Sequence, residues 1–398
     1  MSARGGQPGP AATGDGAAFG GLPRIQLNLR ELSGAFGDLG TDVPLIAGLV
    51  MTCGLEPGRV LIVFGLMQMA SGWRYGLPMP VQPLKAVAAI AIAGAIQAPV
   101  IHGGGLAIGV IMLVLTAAGL LDGVRRVVPR PVIRGIQLGL GLQLSWLALS
   151  RYIPARGSAG WGLAAACLLL IWLLRSSRRC PPALPVLALG AAAAVFLFPD
   201  PVWHPGSALA SWPCASMPQG SDVLAGLVLL ALPQVPLSLG NSILATHQMA
   251  TDLFPERRVQ LRQIGYSYSV LNLVAPFCGG VPVCHGSGGM AGHYLFGART
   301  GGSVLIYGAV LVALGVAGMG GLLQAFPMPV LGAMLLAEGA ALARFAADAT
   351  ARRLDLLVCL LVAALALAVP YGFAVGLAVG TAVAWAPAGW RHFFNPVA

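Results

Sequence analysis

The chain has 398 residues, of which 57% are hydrophobic and only 9% charged, against about 25% charged in a soluble globular domain. That composition excludes a soluble fold, and apolar runs recur from residue 33 to residue 388 without a polar stretch of domain size, so one membrane domain is predicted. The formal net charge of +10 does not indicate a nucleic-acid partner, because the arginines stand in short clusters between apolar runs, where they act as topology determinants.

In chain order, residues 1–24 are rich in Gly, Ala and Pro and lack the apolar region of a signal peptide, which predicts a disordered cytoplasmic tail. Fourteen spans are predicted, beginning near residues 33, 58, 82, 104, 131, 161, 183, 222, 264, 285, 302, 328, 354 and 371. They divide into a first membrane unit at 25–200, an external loop at 201–221, a second unit at 222–390 and a short cytoplasmic tail at 391–398. Arg125, Arg126, Arg130 and Arg134 precede the fifth span; Arg175, Arg178 and Arg179 follow the sixth, Arg257, Arg258 and Arg262 the eighth, Arg352 and Arg353 the twelfth. All four clusters fall on one side, which places both termini in the cytoplasm of a multi-pass inner-membrane protein. Trp73, Tyr75, Trp146, Tyr152, Trp172 and Trp390 sit near span ends and read as interfacial anchors. The seven cysteines are odd in number and scattered, so no disulfide framework is expected, and neither a metal nor a cofactor is called for.

Three short patterns recur at offsets of about 200 residues, the mark of an internal duplication. Leu39-Gly40-Thr41 returns as Leu239-Gly240-Asn241, Pro80-Val81 as Pro282-Val283, and Pro129-Arg130-Pro131-Val132 as Pro327-Met328-Pro329-Val330. A unit of seven spans is odd, so the second copy crosses in the opposite sense. The predicted fold is therefore all-α, a seven-plus-seven inverted repeat with two broken half-helices and the substrate between the copies.

The half-helices carry the candidate site. Pro78-Met79-Pro80-Val81-Gln82-Pro83 forbids a regular helix until about Leu84. Gly279-Gly280-Val281-Pro282-Val283-Cys284 leads into the glycine-rich start His285-Gly286-Ser287-Gly288-Gly289. Opposed N-termini of this kind present free N–H groups and positive dipole ends to an anion. Lys85, the only lysine in the chain, lies in the first turn of the first half-helix, and either adds to that field or snorkels to an interface. Gln82, His285, Gly286, Ser287 and Gly288 are candidate ligands from the two starts, with packing the competing role for His285; Thr41, Asn241 and Ser242 are candidates from the first and eighth spans, with interhelical hydrogen bonding the alternative. Asp38, Asp42 and Glu338 are the candidate proton carriers, because carboxylates inside a membrane are costly; Asp38 and Asp42 have the alternative of pairing with Lys85, Asp42 also that of marking a helix end near water, and Glu338 needs a partner or a proton.

The blocks Glu31–Thr41, Pro78–Ala86, Leu239–Ser242 and Cys284–Gly289 resemble the signature blocks of the molybdate transporter family related to the sulfate permeases. The resemblance implies the fold shared by sulfate and nucleobase permeases, with a core domain moving against a gate domain, and it implies molybdate uptake. The chain stops at Ala398, soon after the last span, without the cytoplasmic STAS domain usual in sulfate permeases, which points to the molybdate branch. The alternatives are a carrier of sulfate or another oxyanion, proton-coupled or not, a nucleobase permease, a passive channel, and an intramembrane enzyme using Ser287 or Cys284 beside His285. The last lacks the spacing of a nucleophile elbow. The expected partners are the oxyanion and membrane lipid, with a homodimer left open.

Overall fold

The computed structural model describes residues 25–121, 128–175, 181–197, 217–344, 346–347, 349 and 352–394. The tail at 1–24, Arg125, Arg126, Arg178 and Arg179, most of the loop at 201–221, and the side chains of Asn241 and Trp390 lie outside the described residues.

The first helices show how caps and left-handed glycines set helix ends. The side chain of Asn28 accepts from the first-turn N–H groups of α1 (Leu29–Ala35), and Glu56 does the same for α3 (Pro57–Tyr75), which starts on a proline. Gly54 at φ +73° closes α2 (Leu39–Cys53) and Gly76 at φ +61° closes α3. Then follow β1 (Val81–Pro83), α4 (Lys85–Gly94), α5 (Ala98–Ala117), α6 (Arg130–Leu147), α7 (Gly157–Leu174) and α8 (Ala183–Phe196). The later elements are α9 (Gly220–Leu253), α10 (Leu261–Val274), β2 (Val283–His285), α11 (Ser287–Leu295), α12 (Gly302–Val316), α13 (Met328–Arg344), α14 (Arg353–Ala368) and α15 (Gly372–Phe394), the last running on into the predicted C-terminal tail.

Among the described residues, Ala98–Ala117, Arg130–Leu174 and Gly220–Leu253 are long and apolar enough to cross a membrane, and the bent pair α1–α2 makes a fourth if it is one span. Polarity is distributed as a bilayer demands. Trp146 and Phe196 are 73% and 81% exposed, whereas Glu31, Asp38, Asp42, Gln68, Gln82 and Asn272 are all buried. Trp73, Trp146 and Trp172 face outward as anchors would, but Tyr75 and Tyr152 do not. Their hydroxyls are drawn inward, to Ser267 Oγ at 2.6 Å and Thr52 Oγ1 at 3.3 Å.

The all-α expectation needs one amendment. The two extended stretches pair as an antiparallel ladder, with Val81 opposite His285, Gln82 opposite Cys284 and Pro83 opposite Val283. Buried backbone must find partners, and a three-residue ladder leaves the outer edges of both strands open. Two carboxamides close them in the same manner. Gln68 on α3 donates to Val81 O at 2.6 Å and accepts from Val81 N at 2.8 Å. Asn272 on α10 donates to Val283 O at 2.6 Å and accepts from Val283 N at 2.9 Å.

The helices behind the strands pack crosswise between the halves. α3 lies against α12, where Gly65, Gly72, Gly301 and Gly308 bring the backbones together; α10 lies against α5, where Gly265 meets Thr116 and Gly109 meets Asn272. α6 packs on α13 and α14, and α7 on α13. Glu31, from the first signature block, is structural: its carboxylate accepts from Arg299 N, Thr300 N and Ser303 N at 2.9 to 3.0 Å, closing the start of α12.

Replacing Asn272 or Gln68 by Leu strands a buried N–H and a buried C=O, at about 1–3 kcal/mol each. Each variant in detergent is expected to melt several degrees below the wild type, and an unchanged midpoint for both would refute the role assigned to these carboxamides.

Candidate functional site

The site is organised by the ladder. Pro80 and Pro83 lack backbone donors, and Leu84 is extended at ψ 111°, so α4 can begin only at Lys85. Leu84 N donates to Pro282 O at 3.0 Å, which fixes the start of α4 against the opposite strand. On the other side Gly286 is extended at ψ 116° and α11 begins at Ser287. Because the strands are antiparallel, the two helices leave opposite ends of the ladder and aim their positive dipole ends back at it.

A cavity of about 850 Å³ opens beside the ladder. Gln82 and Lys85 from the first half-helix, Ser242 from α9, and His285, Gly286, Ser287 and Gly288 from the second half-helix line it. A Cβ placed on Gly288 would meet nothing within 4 Å, so this part of the α11 tip faces open space. At Gly286 a Cβ would run into the Gln82 carboxamide, and at Gly289 into the Asp38 carboxylate, so both positions are confined to glycine by close approach.

Asp38, Thr41, Asp42 and Glu338 stand behind the cavity wall, and all but Asp42 connect to it through hydrogen bonds. Lys85 Nζ donates to Glu338 Oε1 at 2.6 Å, while Thr41 Oγ1 donates to Glu338 Oε2 at 3.4 Å. Gln82 Nε2 reaches both oxygens of Asp38 at 2.6 Å. Asp42 accepts from the Tyr307 hydroxyl at 3.1 Å. Lys85 is thus neither free nor snorkelling: it is half-buried and held by a carboxylate from α13, 253 residues away. Among the described residues Gly240 of the eighth-span motif lines the cavity; the Asn241 side chain lies outside them.

Two sequence expectations change. The N–H groups at the tip of α4 are not all free, because Gln234 Oε1 accepts from Ala86 N at 2.9 Å and Val87 N at 3.4 Å. One nitrogen of the fully buried His285 ring is already engaged, with Nε2 2.7 Å from Ser267 Oγ and an edge contact to Tyr75 at 5.4 Å between centroids, so the ring also braces the strand. Sequence reasoning missed Gln234, although a glutamine bracketed by Pro233 and Pro236 inside an apolar span mirrors the proline-bracketed Gln82. It also treated Arg130 and Arg134 only as topology charges, and both line the cavity, as does Gln137.

The geometry suits a small anion. The cavity wall carries Lys85, Arg130 and Arg134, and no Asp or Glu appears among its described lining residues. Nothing in it gathers the His, Cys and carboxylate ligands of a metal centre among the described residues.

A family model described as molybdate transporter of MFS superfamily matches residues 30–144 and 226–342, which contain all four signature blocks. Molybdate transporter 1 of Arabidopsis thaliana is 33% identical over 370 residues, covering 80% of this chain and 80% of its own length. Molybdate transporter 2 of the same plant is 31% identical over 414 residues, covering 88% and 87%. Among solved structures, the transmembrane domain of a cyanobacterial bicarbonate transporter, BicA, superposes with a TM-score of 0.66 at 17% identity over 89% of this chain and 96% of that one. The murine anion transporter Slc26a9 in its inward-facing state gives 0.71 at 14% identity over 92% and 69%. Those identities establish a shared fold and no more. Built on that fold, and matched over more than half its length by the family's own pattern, the chain belongs to the molybdate transporter family.

Proposed function

We propose that this chain is a secondary transporter that carries molybdate across the membrane by alternating access, holding the oxyanion between the N-termini of α4 and α11 and against Lys85. The observation that carries this reading is the Lys85–Glu338 pair at 2.6 Å beside a cavity walled by cations, amides and backbone donors. An incoming dianion takes Lys85 from Glu338, and the released carboxylate then needs a proton or a stronger hold on Thr41.

The architecture assigned with it is fourteen spans in two inverted units of seven, at 25–200 and 222–390, joined through the loop at 201–221. The matched carboxamides Gln68 and Asn272, and the reciprocal packing of α3 on α12 and α10 on α5, support this reading. The half-helices belong to a core, and α6, α7, α13 and α14 to a gate, so that the Lys85–Glu338 pair joins the two bodies. The protein is assigned to an inner membrane with both termini cytoplasmic, working as a monomer or homodimer in lipid. The names carried by its relatives favour molybdate over sulfate. The relatives are named as transporters, and no enzymatic step is assigned.

Radiolabelled molybdate uptake into proteoliposomes tests the reading. Molybdate is expected to accumulate and to resist an equal concentration of sulfate; equal inhibition by sulfate would move the assignment to a general oxyanion carrier. Lys85→Ala removes a charge-assisted contact of about 1.5–3 kcal/mol, so uptake is expected to fall at least about tenfold, with elution as a folded protein unchanged. Wild-type uptake by that variant would remove Lys85 from the site.

Glu338 gives a charge test. Its hydrogen-bonded neighbours are Lys85 and Thr41. Glu338→Gln keeps the size of the side chain and removes the charge that holds Lys85, so the KM for molybdate is expected to fall; a wild-type KM in that variant would exclude Glu338 as the group the oxyanion displaces.

A further inference from the structure

We propose that α6 holds a second oxyanion position, formed by the Gln137 amide with the guanidinium groups of Arg134 and Arg130, from which the substrate passes to Lys85. The inference rests on the transport reading above and deepens it.

Arg130, Arg134 and Gln137 are spaced four and three residues apart, which puts them on one face of the helix. All three line the cavity that Lys85 reaches. The orientation of the Gln137 carboxamide is unambiguous, because Arg134 Nη1 donates to its oxygen at 3.0 Å and a guanidinium cannot accept. The amide nitrogen therefore points elsewhere. Gln137 is fully buried and lines the cavity wall, yet among the described residues this nitrogen has no hydrogen-bond partner.

A buried donor left unsatisfied costs about 1–3 kcal/mol and is rare in folded proteins. Its missing partner must be an acceptor. An adjacent guanidinium repels cations and amines, while the wall around it offers no carboxylate among the described residues. The chemistry that fits is an oxyanion, which can accept from an amide and from a guanidinium fork at once. This position is distinct from the half-helix site, because it is built from α6 and neither strand contributes to it.

Two substitutions separate an oxyanion donor from a structural prop. Gln137→Leu removes both the donor and the contact to Arg134. Gln137→Glu keeps and strengthens the contact to Arg134 but places negative charge where the oxyanion would sit. The full chain is reconstituted, and molybdate uptake kinetics are measured together with equilibrium binding of labelled molybdate in detergent. Both variants are expected to raise KM about tenfold with kcat little changed. In a Lys85→Ala background, weak residual molybdate binding is expected to persist and to vanish when either Gln137 substitution is added.

Wild-type KM in both variants, or rescue by Glu of a defect caused by Leu, would overturn the proposal. If wild-type protein binds sulfate or phosphate in place of molybdate, the substrate assignment fails separately, and the second position is judged by the same comparison with that anion. Should Gln137→Leu fail to fold, the Gln137→Glu measurements decide alone: a wild-type KM overturns the proposal and a raised KM with retained kcat supports it.

Discussion

Non-helical backbone deep in an apolar protein has to satisfy every N–H and C=O from within, and that constraint shapes the centre of this molecule. Prolines and glycines break two helices, and the resulting strands answer each other across a three-residue ladder. The ladder alone is too short to be self-sufficient. Gln68 and Asn272 complete it from outside, each with one donor and one acceptor bond to the first residue of its strand. The two carboxamides come from helices that precede their strands by similar distances in the two halves, so one solution to one backbone problem is used twice. Everything at the site, from the start of α4 to the exposed tip of α11, takes its position from this arrangement.

Electrostatics is then layered on a centre that is already hydrogen-bonded. Three of the groups that would attract an oxyanion have an internal companion: Glu338 on Lys85, Gln234 on the tip of α4, and Asp38 on Gln82. Such companions keep a half-buried ammonium, one helix end and a buried carboxamide from standing unpaired. On the proposed reading, binding is an exchange of partners in which the oxyanion takes the place of Glu338 on Lys85.

Much of this was legible in the chain itself. The proline and glycine breaks mark both half-helices, the solitary lysine marks the first of them, and the recurrent motifs pair the two halves. These signals are local, since a proline restricts its own neighbours whatever the tertiary fold. What stayed hidden is contact between distant segments. No local pattern says that α13 delivers Glu338 to Lys85, that Gln234 caps α4, or that Ser267 and Tyr75 enclose His285. The arginines of α6 illustrate a different failure, because a charge near a span end satisfies the topology rule and lines a cavity equally well, and only the packing of α6 beside α4 distinguishes the two. Strand pairing escaped for a related reason: three extended residues carry no period from which a ladder could be read.

The glycines at 286 and 289 have a mechanical meaning. With Gln82 packed on one and Asp38 on the other, the second half-helix sits flush against the first half of the chain, with no side-chain volume between them to absorb sliding. A part so closely fitted behaves as a single stiff piece, and deformation is shifted to joints held by long, flexible side chains. The contact between Lys85 and Glu338, made by two long side chains from α4 and α13, has the form of such a joint.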